Sequence, residues 1–215
     1  MDVAPDPRGT ENNLPEKGRK WNEILSVARW EFARTGYRAA TIRGIAEKAQ
    51  VSTRTLYDYF TDKLGLFNAC INAGASRFPQ PQLQFGRDPH AALRAYVVAV
   101  LQHLSAEGSL QVSLMISRDT ETCPEIKEIV KHTHEYYLLR PLAEFLQEMR
   151  IEADAAVKLS RLFNNMATSE WQRRIMFGEP PMDDEAIAAH AALVTSVFLD
   201  GEPLRSVLET SRSRR

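Results

Sequence analysis

The sequence predicts an all-α protein of about nine helices, with three in a small N-terminal helix-turn-helix domain and the rest in a larger C-terminal bundle. Three observations carry this. Apolar residues recur at three- and four-residue spacing almost from Ile24 to Leu199, and no segment shows the period-two alternation of a strand. Helix boundaries are punctuated by Thr41, Ser52 and Thr61 ahead of apolar runs, by Gly36 behind one, and by Asp88-Pro89, which places proline at a first helical position. Two short helices joined by a few residues follow a longer one, which is the helix-turn-helix arrangement.

Residues 1–18 mix Pro, Gly, Asn and charge without periodicity and are expected to form a disordered arm. Ile24, Leu25, Ala28 and Phe32 share a helix face that ends at Thr35-Gly36, where glycine supplies the left-handed residue that closes a helix. Thr41 offers its side-chain oxygen to the free amides of a short helix whose inner face is Ile42, Ile45, Ala46 and Ala49. After Gln50 and Val51, Ser52 caps a second short helix that turns Leu56, Tyr57 and Phe60 inward. Thr61 then caps a fourth helix with Leu64 and Phe67 on its buried side. Phe78-Pro79-Gln80-Pro81 breaks the pattern, and further helices are expected at 89–106, 109–118, 124–150, 155–177 and 183–199. Pro141 falls inside one of these and lacks a backbone donor, so a kink is expected there. The expected organisation is thus the arm 1–18, a helix-turn-helix domain 19–67 and a helical domain 68–210.

With 215 residues, 44% of them hydrophobic and 26% charged, the chain has the composition of a soluble globular protein that needs neither disulfide nor metal to be stable. Cys70 and Cys123 form no CxxC pair and lack metal-ligand spacing, so neither zinc nor a disulfide scaffold is expected, and a cytoplasmic location is. Residues 1–20 lack the apolar segment of a secretion signal, and the run Ala186–Leu199 is short of the ~20 residues that cross a bilayer, so no membrane association is expected. The formal net charge is only −1, yet between Lys17 and Phe67 ten basic residues (Lys17, Arg19, Lys20, Arg29, Arg34, Arg38, Arg43, Lys48, Arg54, Lys63) face five acidic ones (Glu23, Glu31, Glu47, Asp58, Asp62). A basic module on an acidic remainder is the footprint expected when one part of a chain touches phosphates.

Phe32 with Thr35-Gly36-Tyr37, then Ala40-Thr41-Ile42-Arg43-Gly44-Ile45-Ala46, Ala49-Gln50-Val51-Ser52 and Thr55-Leu56-Tyr57-Asp58-Tyr59-Phe60, with Lys63 and Leu66-Phe67 behind, follow in an order and spacing that resembles the TetR family of bacterial regulators. The family commonly has Gly at the position of Gln50 and an acidic residue at that of Gly44. Gln50 either takes a positive φ at a cost of about 1 kcal/mol or adopts a different turn. Gly44 removes a capping-box partner for Thr41. The resemblance implies a sequence-specific DNA-binding transcriptional regulator, a repressor, acting as a homodimer on a palindromic operator in double-stranded DNA. It also implies a small-molecule effector in the C-terminal domain, with no catalysis, cofactor or metal.

Leu56 and Phe60, one turn apart, anchor the Ser52–Phe60 helix and leave Thr53, Arg54, Thr55 and Asp58 outward near its N-terminal end. Arg54 can fork onto a guanine edge, and Thr53 and Thr55 offer hydroxyls and methyls to bases or phosphate. Ser52 starts the same helix. Tyr57 and Tyr59 occupy positions where the resemblance implies phosphate and sugar contacts, although Tyr57 also fits a core aromatic. Thr41 and Lys63 begin helices beside the DNA backbone, and Arg43 is either a phosphate contact or a solvated charge.

In the larger domain Leu159, Leu162, Phe163, Met166, Trp171, Ile187, Ala191, Val194 and Phe198 form either intrachain core or the helix pair through which the resemblance implies dimerisation. Met115, Tyr136, Tyr137, Phe145 and Phe163 are candidate walls for a small, partly apolar ligand, with plain core as the alternative. A helical metalloenzyme or hydrolase is the rival class. Its best support, His132-Thr133-His134-Glu135, places residues two apart on different helix faces, and no Glu-x-x-His pair, GxSxG elbow or phosphate-binding glycine loop occurs.

Overall fold

A computed structural model describes residues 16–78 and 88–201. Ten α-helices follow in order: α1 (Glu16–Thr35), α2 (Ile42–Lys48), α3 (Thr53–Tyr59), α4 (Lys63–Ala75), α5 (Pro89–Ser105), α6 (Glu107–Asp119), α7 (Pro124–His134), α8 (Arg140–Glu148), α9 (Ala153–Phe177) and α10 (Asp184–Asp200). A π turn, Glu135–Leu139, joins α7 to α8. Counting α7, the π turn and α8 as one interrupted helix gives nine, and the described residues contain no strand. The expected arm lies outside the described residues up to Pro15, and its last residues, 16–18, are already helical. The proline break from Pro79 to Pro81 and the tail beyond Gly201 also lie outside them.

The chain divides into two compact units, each discontinuous in sequence. Of the described residues, the first takes 16–77 and adds Glu107–Thr133, so it contains α1–α4, α6 and most of α7. Its core gathers Ile24, Leu25, Ala28, Phe32, Ile45, Leu56, Leu66 and Phe67, with Met115 and Ile126 from α6 and α7. α1 packs on α2, α4 and α6. Phe32, Tyr37 and Phe67 form a ring cluster with centroids 5.2–5.9 Å apart.

Local chemistry explains the helix ends. The Thr41 side chain accepts from the Gly44 amide at 3.0 Å, and Ser52 from Thr55 at 3.0 Å. Before α4 the cap is Asp62 rather than Thr61: its carboxylate accepts from the Gly65 amide at 2.7 Å and brings negative charge to the positive end of the helix. α2 closes with Gln50 at φ 54°, while the Gln50 and Val51 amides donate back to Glu47 and Ala46. That is a Schellman closure in which Gln fills the place usually held by Gly. The left-handed alternative is therefore the one adopted.

The second unit comprises, among the described residues, Phe78, 88–106 and 134–201. α10 packs on α5 and α9, and α8 on α9, around Leu93, Tyr96, Val97, Leu101, Leu142, Phe163, Ala191 and Phe198. The interruption expected at Pro141 takes the form of the π turn just before it. Pro141 has no N–H for the carbonyl four residues back, and the turn widens ahead of it. From α5 the Tyr96 hydroxyl donates to the Leu138 carbonyl of that turn at 3.3 Å. Of the apolar residues on α9 and α10, Leu159, Phe163, Ile187, Ala191, Val194 and Phe198 are intrachain core, and Met166 and Trp171 pack against it. Leu162, Met176, Phe177, Leu193 and Val197 are exposed. No described helix is long and apolar enough to cross a membrane.

Candidate nucleic-acid interface

α3 divides its faces sharply. Leu56 and Phe60 are buried, whereas Ser52, Thr53, Arg54, Tyr57 and Asp58 are exposed and Thr55 is half-buried. Tyr57 is thus turned outward, contrary to the inward placement expected from the apolar pattern: a helix anchored at Leu56 and Phe60 has no room on that face for the residue after Leu56. The inner aromatic is Tyr59, half-buried beside Trp21 at 5.9 Å between centroids, while Trp21 also stacks on Phe60 at 4.5 Å. The indole of α1 thereby fixes the end of α3. Thr55 shares its hydroxyl with Ser52 at 2.9 Å.

On α2, Thr41 and Arg43 are exposed, and the Arg43 guanidinium pairs with Glu47 one turn on at 3.0 Å. That pair is solvent-exposed and weak, so the guanidinium is readily drawn to a phosphate. Glu31 anchors α2 to α1 from below. Its buried carboxylate accepts from Lys48 and from Arg34, and these bonds hold its pKa below the usual carboxylate value.

Lys63 is placed differently from the other candidates. Its ammonium donates to the carbonyls of Tyr37 at 2.9 Å, Ala40 at 3.0 Å and Arg38 at 3.3 Å, and stands 4.4 Å from the centroid of the Tyr37 ring. An ammonium has three donors, and all three are engaged inside the protein. Thr41, Arg43, Ser52, Thr53, Arg54 and Tyr57 therefore form the exposed candidates on α2 and α3. Lys63 instead ties down the loop that leads into α2. No local pattern signals such a role, because the carbonyls it takes lie 23 to 26 residues back in the chain.

The candidate ligand residues are divided between the two units. Met115 is buried in the core of the first unit. Phe145 and Phe163 are in the core of the second, Tyr137 is half-buried, and Tyr136 is exposed with Arg140 over its ring at 5.6 Å. Tyr136 and Tyr137 meet edge to face at 4.9 Å. The second unit also holds a part-buried polar pair that no sequence pattern joins. The Asn164 amide meets His134 Nε2 at 3.2 Å, burial lowers the imidazole pKa, and Asn164 Oδ1 has no partner among the described residues. Its sequence signal is slight, a polar residue within the buried run of α9. The described residues contain no cluster of three or more His, Cys, Asp or Glu able to hold a metal ion.

Residues 24–70 match the family model for bacterial regulatory proteins of the tetR family. The HTH-type transcriptional activator FasR of Mycolicibacterium smegmatis is 30% identical over 123 residues, a match spanning 56% of this chain and 55% of that protein, about half the length of the curated relative. A structure described as a TetR-family transcriptional regulator from Mesorhizobium loti aligns with a TM-score of 0.73 at 21% identity, covering 87% of this chain and 98% of that one. The flavonoid-responsive regulator FrrA aligns with a TM-score of 0.68 at 25% identity, covering 85% of this chain and 96% of that one.

Proposed function

We propose that this chain, which belongs to the TetR family of bacterial transcriptional regulators, is a sequence-specific repressor that binds a palindromic operator as a homodimer and responds to a small molecule. The observation that carries the reading is α3: two buried anchors, Leu56 and Phe60, leave Thr53, Arg54 and Tyr57 exposed, as in a recognition helix that enters a major groove. In this reading Arg54 reads a base edge, Thr53 and Thr55 contact bases or phosphate, and Thr41, Arg43, Ser52, Tyr57 and Tyr59 hold the DNA backbone. DNA binding belongs to 19–67, and ligand binding and dimerisation to 68–210. The protein works in the cytoplasm and catalyses nothing.

Dimerisation through α9 and α10 is supported by Leu162, Leu193 and Val197, exposed on those two helices. In this reading ligand binding falls to the candidates Met115, Tyr136, Tyr137, Phe145 and Phe163; the last four share the second unit with the polar pair His134 and Asn164. A partly apolar effector suits residues of these types, and the name of FrrA records a response to flavonoids. Activation is the second reading, favoured by the name of FasR. Selection of bound duplexes from random DNA tests the proposal. Enrichment of two inverted half-sites, one helical turn of about 34–36 Å apart or a multiple of it, supports it, and recovery of no preferred sequence refutes it. Transcription from a promoter carrying the recovered site then separates repressor from activator.

A further inference from the structure

We infer that Asp119, at the C-terminal end of α6, is a positioning residue for DNA binding: its carboxylate holds the loop between α1 and α2 in the form that sets α2, and through it α3, against DNA. The inference rests on reading α2 and α3 as the DNA-binding elements. Asp119 is 7% exposed and lies 82 residues from its partner in the chain. Oδ2 accepts from the Tyr37 amide at 2.6 Å, and Oδ1 from Arg118 Nε at 3.0 Å.

The loop is fitted closely to this turn. Gly36 has φ +85°, and a Cβ there would stand 2.7 Å from Arg118 Nη2 and 3.3 Å from Asp119 Oδ2. The positive φ favours glycine, and a Cβ would in addition push aside the exposed end of Arg118 and crowd the Asp119 carboxylate. One residue beyond Tyr37, the Arg38 guanidinium donates to the Thr122 carbonyl at 2.5 Å and reaches Cys123 Sγ at 3.3 Å. From α4, Lys63 takes the carbonyls of Tyr37, Arg38 and Ala40. Thus the loop's carbonyls are gripped by Lys63, and the Tyr37 amide is gripped by Asp119. The chain passes directly from Ala40 to Thr41, the cap of α2, and α2 packs on α3.

Lys63 and Arg38 hold the loop through its carbonyls and one side chain, and neither engages the Tyr37 amide. Without the carboxylate, the Tyr37 amide and the Arg118 guanidinium lose their acceptor, and the loop gains alternatives in which α2 starts elsewhere. Affinity is scaled by the fraction of time the loop spends in the competent form. Asp119 touches no DNA in this arrangement.

The test uses the full chain and the duplex recovered from random DNA with the wild-type protein. Asp119→Ala is expected to weaken binding of that duplex about tenfold, whereas Asp119→Asn, which keeps an acceptor for the Tyr37 amide, stays within about threefold. Hydrogen exchange on the free proteins supplies a second readout. In the alanine variant the Tyr37 amide exchanges faster, while the Leu56 and Phe60 amides keep wild-type protection. Binding by Asp119→Ala within about twofold of wild type overturns the inference. So does an asparagine variant as weak as the alanine one, or lost protection at Leu56 and Phe60, which would make Asp119 a support of the fold. If the wild-type protein selects no duplex, the DNA-binding reading itself fails and the inference falls with it.

Discussion

Replacing Lys63 by methionine asks whether its ammonium builds the protein or neutralises DNA. Methionine keeps much of the aliphatic stem, so the change removes chiefly the charge and its three bonds. The Arg38 carbonyl is exposed and is rehydrated, whereas the bonds to Tyr37 and Ala40 are partly buried. Those two count for about 1 kcal/mol each, and the contact with the Tyr37 ring adds about 0.5–1 kcal/mol, for a total loss of about 2–3 kcal/mol. At about 2–4 °C per kcal/mol for a chain of this size, the thermal midpoint should fall by about 5–10 °C. Thermal unfolding followed by circular dichroism measures this. Titration of the same variant with DNA over a range of salt measures the alternative. A lysine that neutralises a phosphate lowers the salt slope by about one per half-site when removed, whereas one engaged with carbonyls leaves the slope in place. An unchanged midpoint together with a reduced slope would refute the structural role.

Arg54→Ala should cost about 1–3 kcal/mol per half-site on the selected duplex and much less on random DNA; equal losses in fluorescence titrations on the two would make Arg54 a phosphate contact. Glu31 has a folded-state pKa depressed below the usual 4.5 by Lys48 and Arg34, so its contribution to stability is present above that value and lost as pH falls through the lower, folded-state pKa. Urea unfolding should therefore show Glu31→Gln well below wild type at neutral pH and close to it in strong acid; a gap that stays constant with pH refutes this. Leu193→Asp with Val197→Asp should shift the protein toward monomer in sedimentation while leaving its helical content intact. Val194→Asp, on the buried face between them, should instead unfold the second unit.

Much of the fold was legible because its signals are local. Thr41, Ser52 and Gly36 announce helix ends through groups within a few residues of themselves, and the helices expected from spacing recur with their boundaries nearly intact. Asp62 displaced Thr61 because either residue can cap, and the sequence offers no way to see which one the backbone brings into reach. The outward candidates of α2 and α3 follow from two anchors and a helical period. Lys63, Asp119 and Met115 were beyond such reasoning, since their partners are set by how α4 and α6 pack on α1. α10 defeats periodicity in another way. It is apolar on several faces, so spacing alone does not tell buried Val194 from exposed Leu193.

The packing of Trp21 against Phe60 and Tyr59 gives the protein a natural optical reporter. Of its three tryptophans, Trp21 alone adjoins the end of α3, Trp30 is exposed between Arg34 and Lys48, and Trp171 belongs to the second unit. Indole emission shifts with the polarity and motion of its surroundings. A variant that keeps Trp21 while Trp30 and Trp171 are replaced by phenylalanine would let the seating of α3 be followed in solution without any attached dye, in the time of a stopped-flow mixing experiment.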